Sequence, residues 1–348
     1  MRLCILGDAG SVHTKRWVEY FVASGWEVHL ISLEGSICTK AYEHIFSPKV
    51  KIRWLKYLLA TRRISDKIEK ISPNIINAHF VPNYGLIGAL VNRHPLVISC
   101  WGSDILDPPA KGILRKIRIK FALRRADLIT TDAEMLKEAI IRLGIHKDKI
   151  LNAPMGVDTQ IFNPPPQKET PPLIVYLRTL EPIYNPELFI RAMSLVISEE
   201  RVRIFMRSDG SMKNKIASLA KEFGIEIEFV SSLPQNGVAK ILQSATIYVS
   251  TSVCDSTSVT LLEAMACGAF PIVTDIPGNR EWIEDKINGC LVPVDNPNHL
   301  AKKIIEVLRN PKLLLDVATR NVKIVNERGV WTNNMSIIEQ SFIGLNKR

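Results

Sequence analysis

The sequence predicts an α/β protein built from two doubly wound, Rossmann-like domains. Three observations predict it. Short apolar runs alternate with stretches of helical periodicity from residue 2 onward, the rhythm breaks at a proline-rich segment, and it then starts again. A chain of 348 residues is long for one core, and its 46% apolar content supplies two domains of roughly 100 to 200 residues each.

Taken in order, Arg2 to Gly7 (RLCILG) reads as a strand. Thr14 to Ala23 (TKRWVEYFVA) has helical spacing with Gly25 as its stop, and Glu27 to Ser32 (EVHLIS) reads as a second strand. Asn74 to Ala78, Leu96 to Cys100 and Ala126 to Thr131 continue the series, the last leading into a helix from Ala133 to Leu143. Asn163 to Pro172 carries five prolines, which remove backbone donors and fix φ, and it reads as the linker. Beyond it come strands at Leu173 to Leu177, Val202 to Met206, Glu226 to Val230, Thr246 to Ser250, Phe270 to Thr274 and Cys290 to Pro293. The expected division is 1–164, 165–331 and a terminal helix, 332–348, that packs back on the N-terminal domain.

The charge is uneven. Residues 1–164 hold 24 Lys and Arg against 15 Asp and Glu, and the remainder 21 against 20, so the net charge of +10 belongs almost wholly to the first half. The six cysteines (Cys4, Cys38, Cys100, Cys254, Cys267, Cys290) form no CxxC pair and no Cys/His cluster, which predicts free thiols in a reducing compartment. No apolar run approaches the roughly 18 residues that span a bilayer. A soluble, cytoplasmic protein is expected.

One stretch carries chemistry. After the strand Thr246 to Ser250, the loop runs through Asp255, Ser256 and Thr257 into a short apolar helix from about Ser258 to Cys267, stopped by Gly268. In open α/β sheets ligands bind beyond the carboxyl ends of strands, where a loop becomes a helix. Small residues at that helix start leave backbone N–H groups for an anion such as a diphosphate. Asp255 and Glu263 would accept bonds from sugar or ribose hydroxyls. The alternative is that Asp255 and Ser256 only cap the helix and Glu263 complements its dipole.

Leu261 to Ile283, "LLEAMACGAFPIVTDIPGNREWI", resembles the signature of family 4 of the retaining glycosyltransferases: an acid, seven residues, a Glu, then AMA-x-G-x-P and a later Gly-x-x-Glu. "NAPMGVDTQIFNP" (Asn152 to Pro164), "ADLITTDAEMLKEAI" and "NGCLVPVDNPNHLAKKI" resemble further segments of the family, so the likeness covers nearly the whole chain. It implies the GT-B architecture, two Rossmann-like doubly wound domains facing across a cleft. The N-terminal domain would take the acceptor and the C-terminal domain most of a nucleotide sugar.

Carried over by position, the resemblance makes Arg178 the diphosphate cation, Glu263 the ribose acid and Asp255 the acid that meets the transferred sugar. Ser256, Thr257, Ser258, Val259 and Thr260 would line the donor, with Gly10 approaching the diphosphate from the other domain. Three departures stand out. Asp255 is shorter than the usual Glu, Tyr184 replaces a second diphosphate cation, which Lys213 or Lys215 would have to supply, and Trp101 stands where relatives often have a His. His13, His79, Trp101 and Asp104 are the candidates on the acceptor side, with His79 more structural in character.

The implied reaction is transfer with retention at the anomeric carbon, with no metal or other cofactor. Arg178 and helix amides would carry the charge of the leaving diphosphate, and the sequence holds no Asp-x-Asp pair. The acceptor is expected to be a saccharide or lipid-linked, in cell-envelope polysaccharide synthesis. Two alternatives are a catalytically degenerate relative that binds nucleotide, sugar or membrane as an assembly partner, and a nucleotide-sugar epimerase.

Weaker signals surround this one. Gly7 to Gly10 with Glu34 hints at a dinucleotide site, but the GxGxxG spacing is absent. Two basic amphipathic stretches, 49–63 and 111–125, suit contact with an anionic membrane at the inner face of the plasma membrane. The same cations would otherwise be solvated above an apolar core-facing side. Nucleic acid is not expected, since no binding module accompanies the charge.

Overall fold

The inner strands of both sheets are buried on both faces, and for that reason they read as largely apolar runs rather than alternations. The computed structural model describes residues 1–35, 40–46, 53–106, 112–165, 170–231 and 233–347. Cys38, Lys49 to Ile52, Lys111, Pro166 to Glu169 and Ser232 therefore lie outside the described residues, as do parts of the linker and of the two basic stretches.

In the first unit the elements run β1 (Arg2–Leu6), α1 (Val12–Ala23), β2 (Glu27–Ser32), β3 (Tyr42–Ile45), α2 (Arg53–Ile71), β4 (Ile75–His79), α3 (Leu86–Val91), β5 (Leu96–Ser99), α4 (Ser103–Leu106), α5 (Ile113–Arg125), β6 (Leu128–Thr131), α6 (Glu134–Arg142) and β7 (Ile150–Asn152). The strands form one parallel seven-stranded sheet in the order β3-β2-β1-β4-β5-β6-β7. Two of them escaped the sequence reading. β3 (YEHI) is a polar edge strand with no apolar run, and β7 is three residues long.

In the second unit the order is β8 (Leu173–Tyr176), α7 (Pro186–Val196), β9 (Arg203–Arg207), α8 (Lys213–Glu222), β10 (Glu228–Val230), α9 (Gln235–Ser244), β11 (Ile247–Ser250), α10 (Val259–Ala266), β12 (Phe270–Thr274), α11 (Pro277–Arg280), β13 (Cys290–Val292), α12 (Pro297–Leu308) and α13 (Pro311–Arg328), followed by α14 (Trp331–Leu345). This sheet is also parallel, β10-β9-β8-β11-β12-β13. The two sheets have separate apolar cores, one around Leu6, Ile76, Ile98 and Ile129, the other around Ile174, Phe189, Ile204 and Ile272.

The compact units are Met1–Ala153 with Met335–Arg348, and Pro154–Asn334. The division thus comes after β7 and not at the prolines near residue 164. The reason is local. Val157 donates its N–H to Gly329 O (2.8 Å) and accepts from Trp331 N (3.0 Å), while Phe162 is buried in the second unit's apolar cluster. Gly156 makes this possible: at φ +66° a Cβ there would lie 2.7 Å from Gly329 O. At the other end, α14 gives its later turns to the first unit. The Glu339 carboxylate accepts from Tyr20 Oη (2.9 Å) and Trp26 Nε1 (2.7 Å), and Phe342 stacks on Phe21 at 5.4 Å.

Candidate functional site

In the second sheet β8 pairs with both β9 and β11, so the strand order reverses between β8 and β11. That reversal opens a crevice at the carboxyl ends of the two strands. The loops that leave them are stitched together. Thr251 Oγ1 donates to Tyr184 O and Asn185 O (both 2.8 Å), Val253 N donates to Ile183 O (2.9 Å), and Tyr176 Oη donates to Tyr184 O (2.7 Å).

Arg178, just beyond β8, is the centre of what they hold. Its Nη2 lies 2.6 Å from Asp255 Oδ2, and its Nη1 donates to Ser258 Oγ at 2.9 Å. The Tyr184 ring lies against the guanidinium, 4.1 Å from Cζ to the ring centre. Arg178 Nε has no acceptor among the described residues. The two charged side chains are only 12% and 19% exposed, so this pair is screened little by solvent. Burial raises the Asp255 carboxyl above its ordinary range, against the pull of Arg178 and of the Ser256 N–H. Burial opposes the Arg178 charge, but Asp255 and the surrounding tyrosine hydroxyls outweigh it and its pKa lies above the usual value.

The helix start is more closed than the sequence suggests. Ser258 caps α10, its Oγ accepting from Leu261 N, and the Ser256 N–H goes to Asp255 Oδ1 at 3.1 Å. Thr257 Oγ1 accepts from Trp282 Nε1 at 3.3 Å, and Ser256, Thr257 and Ser258 are all buried. The groups left for a ligand are the N–H of Val259 and Thr260, both half-buried, which find no acceptor among the described residues. Glu263 stands one turn further along the same helix and is half-buried. So Asp255 does not cap the helix; Ser258 does.

Three participants escaped the sequence reading. Tyr176 and Tyr248 are buried beneath Arg178, each a tyrosine inside an otherwise aliphatic strand. A buried tyrosine hydroxyl asks for a partner, which Tyr176 finds in Tyr184 O at 2.7 Å, and that is the signal the sequence offers. The third is Gly278, the glycine of the Gly-x-x-Glu signature. A Cβ there would lie 2.3 Å from Ser256 O and 2.6 Å from Asp255 O. Its role is to let α11 press on the backbone that positions Asp255. Lys215 is engaged elsewhere, with Glu187 at 2.7 Å, while Lys213 opens α8 exposed.

Gly10, His13, Trp101 and Asp104 belong to the first unit, where the last three are linked through Trp101. The Gly10 N–H is taken by Asp8 Oδ1 at 2.8 Å. His13 is not in the loop but in the first turn of α1, its ring 5.4 Å from that of Trp101. On the other side of Trp101 lies His79, 4.7 Å away. His79 is buried, bonded to Asn77 Oδ1 (2.8 Å) and Thr14 Oγ1 (3.4 Å), and burial together with the His13 charge lowers its pKa to about 3. It is a neutral structural histidine. Asp104 faces no open space: it is fully buried and accepts from Val81 N (3.2 Å) and Trp101 N (3.1 Å), closing its own turn. Burial pushes its carboxyl up to about 6. The dinucleotide reading fails because Glu34 is spent on Tyr57, Tyr84 and Lys56. Among the described residues no three His, Cys, Asp or Glu side chains converge as metal ligands, and no helix is long and apolar enough to cross a membrane.

Residues 157–323 match the model of the family described as glycosyl transferases group 1, and residues 2–133 match that described as glycosyl transferase 4-like. The chain is 24% identical over 336 residues to the N-acetylgalactosamine-N,N'-diacetylbacillosaminyl-diphospho-undecaprenol 4-alpha-N-acetylgalactosaminyltransferase of Campylobacter jejuni, covering 88% of this chain and 89% of that one. It is 26% identical over 167 residues to the poly(ribitol-phosphate) alpha-N-acetylglucosaminyltransferase of Staphylococcus aureus, covering 46% of this chain and only 33% of the relative. In structure it resembles HepE of Anabaena, solved in complex with UDP-glucose, at a TM-score of 0.82 and 16% identity, covering 99% of this chain and 100% of that one.

Proposed function

Since the chain belongs to the family-4-like GT-B glycosyltransferases and is a glycosyltransferase, we propose that it moves a sugar from a nucleotide diphosphate sugar to a saccharide or lipid-linked acceptor, with retention, in the synthesis of cell-envelope polysaccharide. The observation that carries this reading is the meeting of Arg178 with the start of α10. One buried guanidinium and the free N–H groups of Val259 and Thr260 converge at the carboxyl ends of β8 and β11. That is a cradle for a diphosphate. It would stabilise the charge that develops as the sugar departs, and it asks for no resident metal. Glu263 would hold the ribose, and Asp255 is within reach of the sugar that leaves. The acceptor assignment draws on relatives that transfer to an undecaprenyl diphosphate-linked sugar and to poly(ribitol phosphate). Work at the cytoplasmic face of an anionic membrane completes the reading.

The test is a thermal-shift screen of UDP, GDP, ADP and their sugars, run on the wild type and on Glu263→Ala. A nucleotide at about a hundred times its dissociation constant adds roughly 2.7 kcal/mol to stability. One nucleotide stabilising the wild type and not the variant is the expected result. A wild type that answers to none of them would favour the reading as a degenerate binding partner. The observation on that side is that the Arg178 charge is already paired with Asp255.

A further inference from the structure

An amphipathic helix on a sheet normally turns its apolar side inward. α5 turns part of it outward. Ile119, Ala122 and Leu123 are buried, while Ile113 is 74% exposed, Leu114 73% and Ile117 58%. At about 100° per residue the last three share one face with the half-buried Phe121, opposite the buried three. That face is edged by Lys116, Lys120, Arg124 and Arg125, and the helix holds no Asp or Glu. Ile117, Lys120, Phe121, Arg124 and Arg125 also line a shallow hollow of ≈ 470 Å³.

The position matters as much as the composition. In a parallel sheet the crossover helix runs back against the strands, so the first turns of α5 stand at the carboxyl-end rim of the sheet. Arg115 fastens them there, its Nη2 donating to Ser103 O and Asp104 O at 3.1 Å each. The exposed aliphatic end is thereby tied to the Trp101–Asp104 turn. The neighbouring helices continue the surface. α3 packs between α2 and α5, exposing Leu90, and α2 exposes Leu58 and Leu59 next to Arg62 and Arg63.

We propose that the first two turns of α5 are a membrane-docking wedge, in which Ile113, Leu114 and Ile117 enter the headgroup boundary of an anionic bilayer while Lys116, Lys120, Arg124 and Arg125 pair with lipid phosphates. The charge complementarity decides the occupant. Three large aliphatic side chains find no partner on nucleic acid, whose backbone offers only anionic contacts. A second copy would set cationic faces against each other. A bilayer rich in anionic lipid satisfies both components at once. The wedge would bring the acceptor-side turn to the surface where a lipid-linked acceptor resides, a consequence that rests on the acceptor assignment made above.

The experiment is flotation of the full chain with vesicles of phosphatidylglycerol and phosphatidylethanolamine, and with vesicles of phosphatidylcholine alone. The variants are Ile113→Ser/Leu114→Ser/Ile117→Ser and, as a control on α2, Leu59→Ser. The wild type is expected on the anionic vesicles, less so at high salt, and the triple variant should partition about tenfold less or weaker still. Leu59→Ser should lose much less. The thermal shifts with UDP, GDP and ADP should be the same in all three proteins, which separates a failure of the wedge from a failure of the glycosyltransferase reading. The wedge is overturned if the wild type ignores anionic vesicles or binds neutral ones equally. It is also overturned if the triple variant floats like the wild type, or if sedimentation finds a wild-type dimer that the triple variant dissolves.

Discussion

Arg178 Nη2 lies 2.6 Å from Asp255 Oδ2, so the cation proposed for the diphosphate and the acid proposed for the sugar are each other's partner. A donor must then compete with Asp255 for the guanidinium. Asp255→Asn removes the competing charge while keeping an acceptor in place. The nucleoside diphosphate that the thermal-shift screen selects should bind the variant about 5- to 30-fold more tightly, a gain of about 1–2 kcal/mol, while sugar transfer falls. Isothermal titration of both proteins decides it, and weaker binding of that nucleotide by the variant would make Asp255 a support of the site and not its gate.

Tyr184 replaces a cation without replacing its charge, and its ring lies 4.1 Å from the Arg178 guanidinium. What it supplies is a face that steadies Arg178 and a backbone carbonyl bonded to Tyr176 and Thr251. Tyr184→Phe should therefore leave affinity for the nucleotide that the screen selects within about twofold, and Tyr184→Ala should weaken it by about 1 kcal/mol, the ordinary worth of such a contact. Equal losses in both would mean that the hydroxyl, not the ring, is what the site uses.

Gly278 is the position where the site is held from outside. Any Cβ meets Ser256 O and Asp255 O far inside contact distance. Gly278→Ala should shift the Asp255–Ser258 backbone, cost about 1–3 kcal/mol of stability, and lower nucleotide affinity and turnover together by about tenfold. A variant that is destabilised but binds the nucleotide normally would show that the backbone at Asp255 can move without consequence.

What was legible in the sequence follows from where information is stored. Most of the parallel strands and the end of α10 are consequences of aliphatic runs and glycine placement, and they stand in the sequence within a residue or two; the edge strands β3 and β7 and the strand order that makes a crevice do not. The Arg178–Asp255 pair was not legible, because residues 77 positions apart in the chain meet through two loops that no periodicity describes. The closing of the helix start by Ser258 and Trp282 was hidden for the same reason. Asp104 misled in the opposite direction. The resemblance makes it a candidate on the acceptor side, whereas two backbone N–H groups claim it. α5 was left between two readings, because an apolar periodicity says that a face exists, not which way it points.

The buried pair His79 and Asp104 gives the first unit opposing responses to acid. His79 titrates near 3 in place of 6.5, so its contribution to stability is present above the unfolded value and is lost as pH falls below 6.5. Asp104 titrates near 6 in place of 3.8, so its contribution is present below 3.8 and is lost as pH rises through 6. Between those limits each proton is worth about 1.4 kcal/mol per pH unit, with opposite signs. Relative to the wild type, His79→Gln should therefore gain stability as pH falls through this window, and Asp104→Asn should lose it. Urea midpoints of the three proteins across the window measure the two differences directly. A difference that stays flat with pH for either variant would mean that its group titrates as it does in the unfolded chain, and that the environment described for it is wrong.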